Sequence, residues 1–194
     1  MKNSNKLEKE VALRNITDYI FSCIERLSDN ASLIFYLGNN KKRFFDKDSK
    51  STIPIIISMV DVYSRDSVIV LNTILDKDSR TSSLFTLLKY VRDKKTREEY
   101  AVRLKSIKLS VQNVIKGRNT MVAHFNTDLN TIDNDRFHII VPVEFDPRYL
   151  NRISKDIKKM FWDLKEELSV EGLFGCYRGS ISRSFAELIG KEKK

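Results

Sequence analysis

Arg118-Asn119-Thr120-Met121-Val122-Ala123-His124 gathers a guanidinium, an adjacent amide and an imidazole into one short stretch. The chain has only 2 histidines. The other, His138, lies in an apolar run, where a packing or hydrogen-bonded role is expected. A group that exchanges protons near neutral pH, beside a permanent cation, is the minimum kit for cutting a phosphodiester without metal. RNA carries its own nucleophile, the 2′-hydroxyl. The protein must then supply a base for that hydroxyl, an acid for the leaving 5′-oxygen and positive charge for the phosphoryl oxygens. His124 fits either proton role, since an unperturbed imidazole titrates at about 6.5. Positioned proton transfer of this kind is worth roughly 10²–10⁴ in rate. The planar fork of Arg118 suits a crowded phosphorane better than a lysine would. Asn119 can bind phosphate or ribose, or hold the imidazole in one tautomer.

Geometry constrains this kit. On an ideal helix, Arg118 and His124 stand about 120° apart around the axis and about 9 Å apart along it. One copy does not form a tight cluster unless the arginine reaches or the helix frays. A symmetric dimer would bring two motifs to a common groove and supply both an acid and a base. The same spacing also fits a structural pair, with Arg118 as a partly buried ion-pair arginine and His124 complementing a helix dipole.

The elements that must position these residues read as helices. Leu13, Ile16, Ile20, Cys23 or Ile24, and Leu27 give a three-and-four stripe for a first helix over Leu7–Leu27. Ser28-Asp29-Asn30 is expected to break it, with a shorter helix from Ala31 to Phe45 ending near Gly38-Asn39-Asn40. Ser51-Thr52 before Pro54 marks the start of a helix running to about Leu75. Ser79–Val91 reads as another, with Leu84, Leu87, Leu88 and Val91 on one face. Thr96-Arg97-Glu98-Glu99 resembles a capping box, opening a helix that should run to His124. Its buried stripe is Tyr100, Leu104, Ile107, Val111 and Val114. Residues 127–146 change character. Asn- and Asp-rich turns flank one strand-like run, Phe137-His138-Ile139-Ile140-Val141, so a small β excursion is expected there. Asp146-Pro147 opens a helix to about Ser169, striped by Leu150, Ile153, Ile157, Met160, Phe161 and Leu164. A short terminal helix near 180–190 follows a glycine-rich break.

Composition sets the frame. The chain has 194 residues, 41% of them hydrophobic and 31% charged, with only 6 glycines and 3 prolines. That favours an all-α antiparallel bundle, in one domain over 1–194 with a core at about 5–170. A formal net charge of +9 suits a polyanionic partner. Cys23 and Cys176 form no disulfide framework and are expected to be buried thiols in a reducing compartment. Met1–Lys6 contains no visible signal peptide, and Ile53–Val60 is too short to span a bilayer. The reading is therefore cytoplasmic, with no membrane association. Asp61, Asp66, Asp76 and Asp78 lack metal-ligand spacing, and no phosphate-cradling glycine loop occurs, so no metal and no cofactor are expected. Trp162, Phe161 and Met160 read as core. Lys41-Lys42-Arg43-Phe44-Phe45 mixes basic and aromatic residues but reads as a solvated helix end.

The motif, placed at the end of a long helix in a helical chain, resembles the R-x₄₋₆-H signature of the HEPN superfamily, in its "RN…AH" form. Leu75-Asp76, Ser79-Arg80-Thr81-Ser82-Ser83-Leu84 and Leu87-Leu88 are similar to the segment that precedes the motif helix in abortive-infection members. The likeness covers roughly residues 5–170. It implies a bundle of about four antiparallel helices, dimerising so that two motifs line one cleft. It also implies a metal-independent endoribonuclease, often a toxin in antiphage defence or paired with an antitoxin protein. The catalytic roles then fall on Arg118, Asn119 and His124, and the resemblance transfers no others. Asp76 and Arg80 match a family pattern whose role is structural or substrate-positioning, and Arg80, Lys116 and Thr120 are the candidates for RNA contact. Some HEPN toxins carry a tyrosine two residues after the histidine, which an antitoxin modifies. Here Asn126 stands there, so silencing by that route is not expected. The competing reading is a non-catalytic HEPN-like module that binds RNA or protein.

Overall fold

A computed structural model describes residues 2–40, 52–112 and 147–170. Every regular element among the described residues is helical. In chain order these are α1 (Lys2–Asn39), α2 (Thr52–Ile74), α3 (Leu84–Leu87) with a 3₁₀ turn at Leu88–Tyr90, α4 (Lys94–Ser110) and α5 (Pro147–Glu167).

The organising element is α1, which packs along both α2 and α5. The expected stripe is its buried side: Ile20, Ile24 and Leu27 are sealed from solvent, and Leu13, Ile16 and Cys23 pack at its margin. Its neighbours run antiparallel to it. Arg26 faces Asp66 while Leu33 and Leu37 cluster with Ile56, so the order reverses along α2. Likewise Glu25 meets Lys158 at 2.6 Å, and Phe21 meets Phe161 and Trp162 with ring centroids 5.9 and 5.8 Å away. On α5 the expected Leu150, Ile153, Ile157, Met160, Phe161 and Leu164 are all buried. Trp162 lies beside them, half-buried and edge-on to Phe161.

Four local expectations are corrected. The chain does not break at Ser28-Asp29-Asn30; α1 continues to Asn39. Asn30 is buried, and its amide donates to Asp66 Oδ2 at 2.7 Å, so the side chain crosses to α2 instead of capping the helix. Leu27 and Ala31 on either side are buried as well, and that burial outweighs the turn-forming tendency of three small polar residues. Second, the helix expected over Ser79–Val91 shrinks to α3 and its 3₁₀ turn. Asp76, Asp78 and Ser83 use their side chains on backbone N–H groups, which competes with helix formation upstream of Leu84.

Third, α4 begins at Lys94, not Thr96. Its cap is Asp93, whose Oδ2 accepts the Thr96 N–H at 2.7 Å, and Thr96 lies within the first turn. Fourth, α4 ends at Ser110 and does not run unbroken toward His124. The Tyr149 hydroxyl donates to the Ser110 carbonyl at 2.6 Å, and the Ser110 hydroxyl donates back to the Ile107 carbonyl at 2.7 Å. Val111 closes the helix with φ −96° and ψ 0° while its side chain stays in the core. Leu104 is buried and Tyr100 and Ile107 pack at the margin, as the stripe requires. The β excursion at 127–146, the helix near 180–190, Val114 and the stretch Lys41–Phe45 lie outside the described residues.

Among the described residues Phe161 is the largest fully buried side chain, and it touches both α1 and its own neighbour Trp162. Phe161→Ala should lower unfolding stability by about 3–5 kcal/mol, read from urea titration at constant m-value.

Candidate active site

Arg118, Asn119, His124, Lys116, Thr120 and His138 all lie outside the described residues. Of the residues assigned to RNA contact, the structure places Arg80. It also describes the end of α4, which precedes the motif in the chain, and the 75–86 turn packed beside that helix.

The turn is built from short polar side chains. Asp76 Oδ1 accepts the Asp78 N–H at 3.0 Å, and Asp78 Oδ1 accepts the Arg80 N–H at 2.9 Å. Ser83 is fully buried, donates to the Asp76 carbonyl at 2.6 Å and accepts the Thr86 N–H, capping α3. Thr86 donates back to the Thr81 carbonyl at 2.6 Å. A polar turn can fold against a core only if its backbone groups are paired in this way. The Arg80 guanidinium sits on Asp78, with Nη2 2.6 Å from Oδ2 and Nε 3.1 Å from Oδ1. Its side chain is 87% exposed, so this pair holds a conformation more than it adds stability. Arg80 thus stands at the surface, already partnered. The Arg80 side chain, then its backbone N–H, hold the Asp78 carboxyl below the usual carboxylate range.

Lys108 ties this turn to α4. Its ammonium donates to the Leu75 carbonyl at 2.8 Å, satisfying a carbonyl left open where α2 ends. It also lies 6.0 Å from the centroid of the Phe85 ring, which Lys77 approaches to 5.7 Å. Burial, and next the charge of Lys77, push Lys108 below the usual lysine range. The end of α4, which leads toward Arg118, is therefore bound to the turn that carries Asp76 and Arg80.

Lys108 and Tyr149 were not among the residues singled out from sequence. For Lys108 a signal existed: it lies between Ile107 and Val111 on the buried side of α4, where a lysine needs a partner. Tyr149 gave none, since its partner is a backbone carbonyl far along the chain. Among the described residues no group of His, Cys, Asp and Glu is arranged to hold a metal ion. Cys23 is a free, half-buried thiol, pushed up in pKa mainly by burial, while Cys176 lies outside the described residues. Again among the described residues, no helix is long and apolar enough to cross a membrane.

No family model matches the chain, and no curated protein or solved structure matches it.

Two outcomes follow from the turn. Ser83→Ala removes a buried cap and strands the Thr86 N–H, and should cost about 1–2 kcal/mol in chemical denaturation. Asp78 should titrate below an ordinary aspartate in an NMR pH series, and Arg80→Ala should move its midpoint back up. Because the folded value is depressed, whatever the pair contributes is present above the unfolded aspartate pKa and lost as pH falls through the folded one.

Proposed function

We propose that this chain is a HEPN-type endoribonuclease, cleaving RNA through 2′-hydroxyl attack without metal. The observation that carries the reading is the Arg118-Asn119…His124 motif, in an RNA-compatible basic chain of net charge +9. Two features of the fold support it. Every regular element among the described residues is helical, as a HEPN-like bundle requires. The turn that carries one stretch of the resemblance is also tied to the helix that precedes the motif in the chain, because Lys108 near the end of α4 bonds the Leu75 carbonyl at the head of the Asp76–Arg80 turn.

In this mechanism one His124 takes the 2′-hydroxyl proton and a second, from a partner copy, returns a proton to the leaving 5′-oxygen. Arg118 neutralises charge on the phosphorane, where a cation acts most strongly because that charge develops in the transition state. Asn119 orients phosphate or imidazole. Arg80, Lys116 and Thr120 contact the RNA backbone. The working unit is a cytoplasmic homodimer with a composite site. Its biological role is that of a toxin in antiphage defence or in a pair with an antitoxin protein, restrained by binding and not by tyrosine modification, given Asn126.

Purified protein incubated with RNA in EDTA should leave 2′,3′-cyclic phosphate ends. His124→Ala should lower the cleavage rate by roughly 10²–10⁴ with the circular dichroism unchanged. Undiminished cleavage by that variant would rule the mechanism out. Salt-sensitive RNA binding with no cleavage by wild type would favour the non-catalytic HEPN-like module instead.

A further inference from the structure

The outward side of α2 is apolar where a solvated helix should be polar. Ile55, Val62 and Ile69 are 60%, 59% and 45% exposed. They recur at seven-residue intervals, so they drift only about 20° per step and form one seam along roughly 21 Å of helix. A shallow apolar groove lined by Ile55, Ser58, Met59, Val62 and Tyr63 runs beside the first half of that seam.

We propose that this face is a docking surface for a second copy of this chain, with two α2 helices packed antiparallel about a two-fold axis at Val62. The occupant is read from the pattern's symmetry. Ile55 and Ile69 stand equally far on either side of Val62, so an antiparallel copy sets Ile69 against the partner's Ile55 and Val62 against itself. An isologous contact demands a patch complementary to itself, a condition an unrelated partner would not impose. The flanking charges agree. Asp61 and Arg65 are joined at 2.9 Å within the helix, on either side of Val62. Reversing the partner brings each Arg65 within about 3 Å, along the axis, of the level of the partner's Asp61. The pair then extends into an alternating four-charge cluster on one side of the seam, whereas a parallel copy would carry its own pair to the opposite side, out of reach. In the groove, Ile69 of the copy occupies the apolar space beside Ile55 and Met59.

This deepens the dimeric reading above and rests on it, by naming the face through which two copies would meet. One helix pair buries less than the ~800 Å² per partner of a standard interface, so dissociation in about the micromolar range is expected. The test uses the full chain carrying one added cysteine at a time beside Cys23 and Cys176, mildly oxidised at tens of micromolar, with the linked peptides identified by mass spectrometry. Val62→Cys should link to itself. Ile55→Cys and Ile69→Cys should each stay unlinked alone and link when mixed. Val62→Glu, at an exposed position, should weaken self-association at least about 100-fold by sedimentation while leaving the circular dichroism unchanged. A monomer at all concentrations, linkage of 55 to 55 or 69 to 69, or unaltered association by Val62→Glu would each overturn the assignment. Cleavage of RNA by a dimer lacking the 62–62 link removes this surface and leaves the enzyme. A correct link in a protein that never cleaves RNA removes the enzyme and leaves the surface.

Discussion

The fold depends on one helix having to bury itself on two sides. α1 is sealed along Ile20, Ile24, Leu27, Ala31 and Ile34 by α2 on one flank and α5 on the other. Helices in water gain most of their stability from such packing and little from intrinsic propensity. That explains why α1 runs through Ser28-Asp29-Asn30. Ending the helix there would free a few polar groups and expose the apolar residues on both sides of them. Asn30 shows how the conflict is resolved: a residue that favours turns is kept helical by giving its amide a carboxylate on the neighbouring helix.

Asp66 is the polar counterpart of that apolar constraint. It receives Arg26 and Asn30 from α1, and so joins two turns of one helix to a single point on another. The exposed arginine adds little by itself. The buried amide matters more, since it would lose its partner if the helices slid by a turn. Such a contact chooses among registers that the interchangeable aliphatic contacts would all accept.

How far the sequence alone reached follows from the same physics. Helices whose apolar positions repeat cleanly, α5 above all, are visible in full because periodicity is a local signal that packing then uses unchanged. The 75–91 stretch misled because its leucines repeat with helical spacing while its short polar side chains bond the backbone between them. Four aspartate, serine and threonine side chains make turns there that no hydrophobic pattern encodes. The cap at Asp93 was hidden for a different reason. Thr96-Arg97-Glu98-Glu99 matches a capping box, but an aspartate three residues earlier accepts the Thr96 N–H first and starts the helix sooner. The motif itself was legible as chemistry, from residue type and order. Tyr149 and Lys108 show the other side of this: each meets a main-chain carbonyl more than thirty residues away, and no local pattern carries such contacts.

The bond from Tyr149 to Ser110 has a further bearing on the chain that joins α4 to α5. Its two ends are pinned to each other at a single hydroxyl. One phenol thus joins the last turn of the earlier helix to the first turn of the later one. Because its acceptor is a main-chain oxygen, the junction asks nothing of the side chain at position 110 and depends on the tyrosine alone.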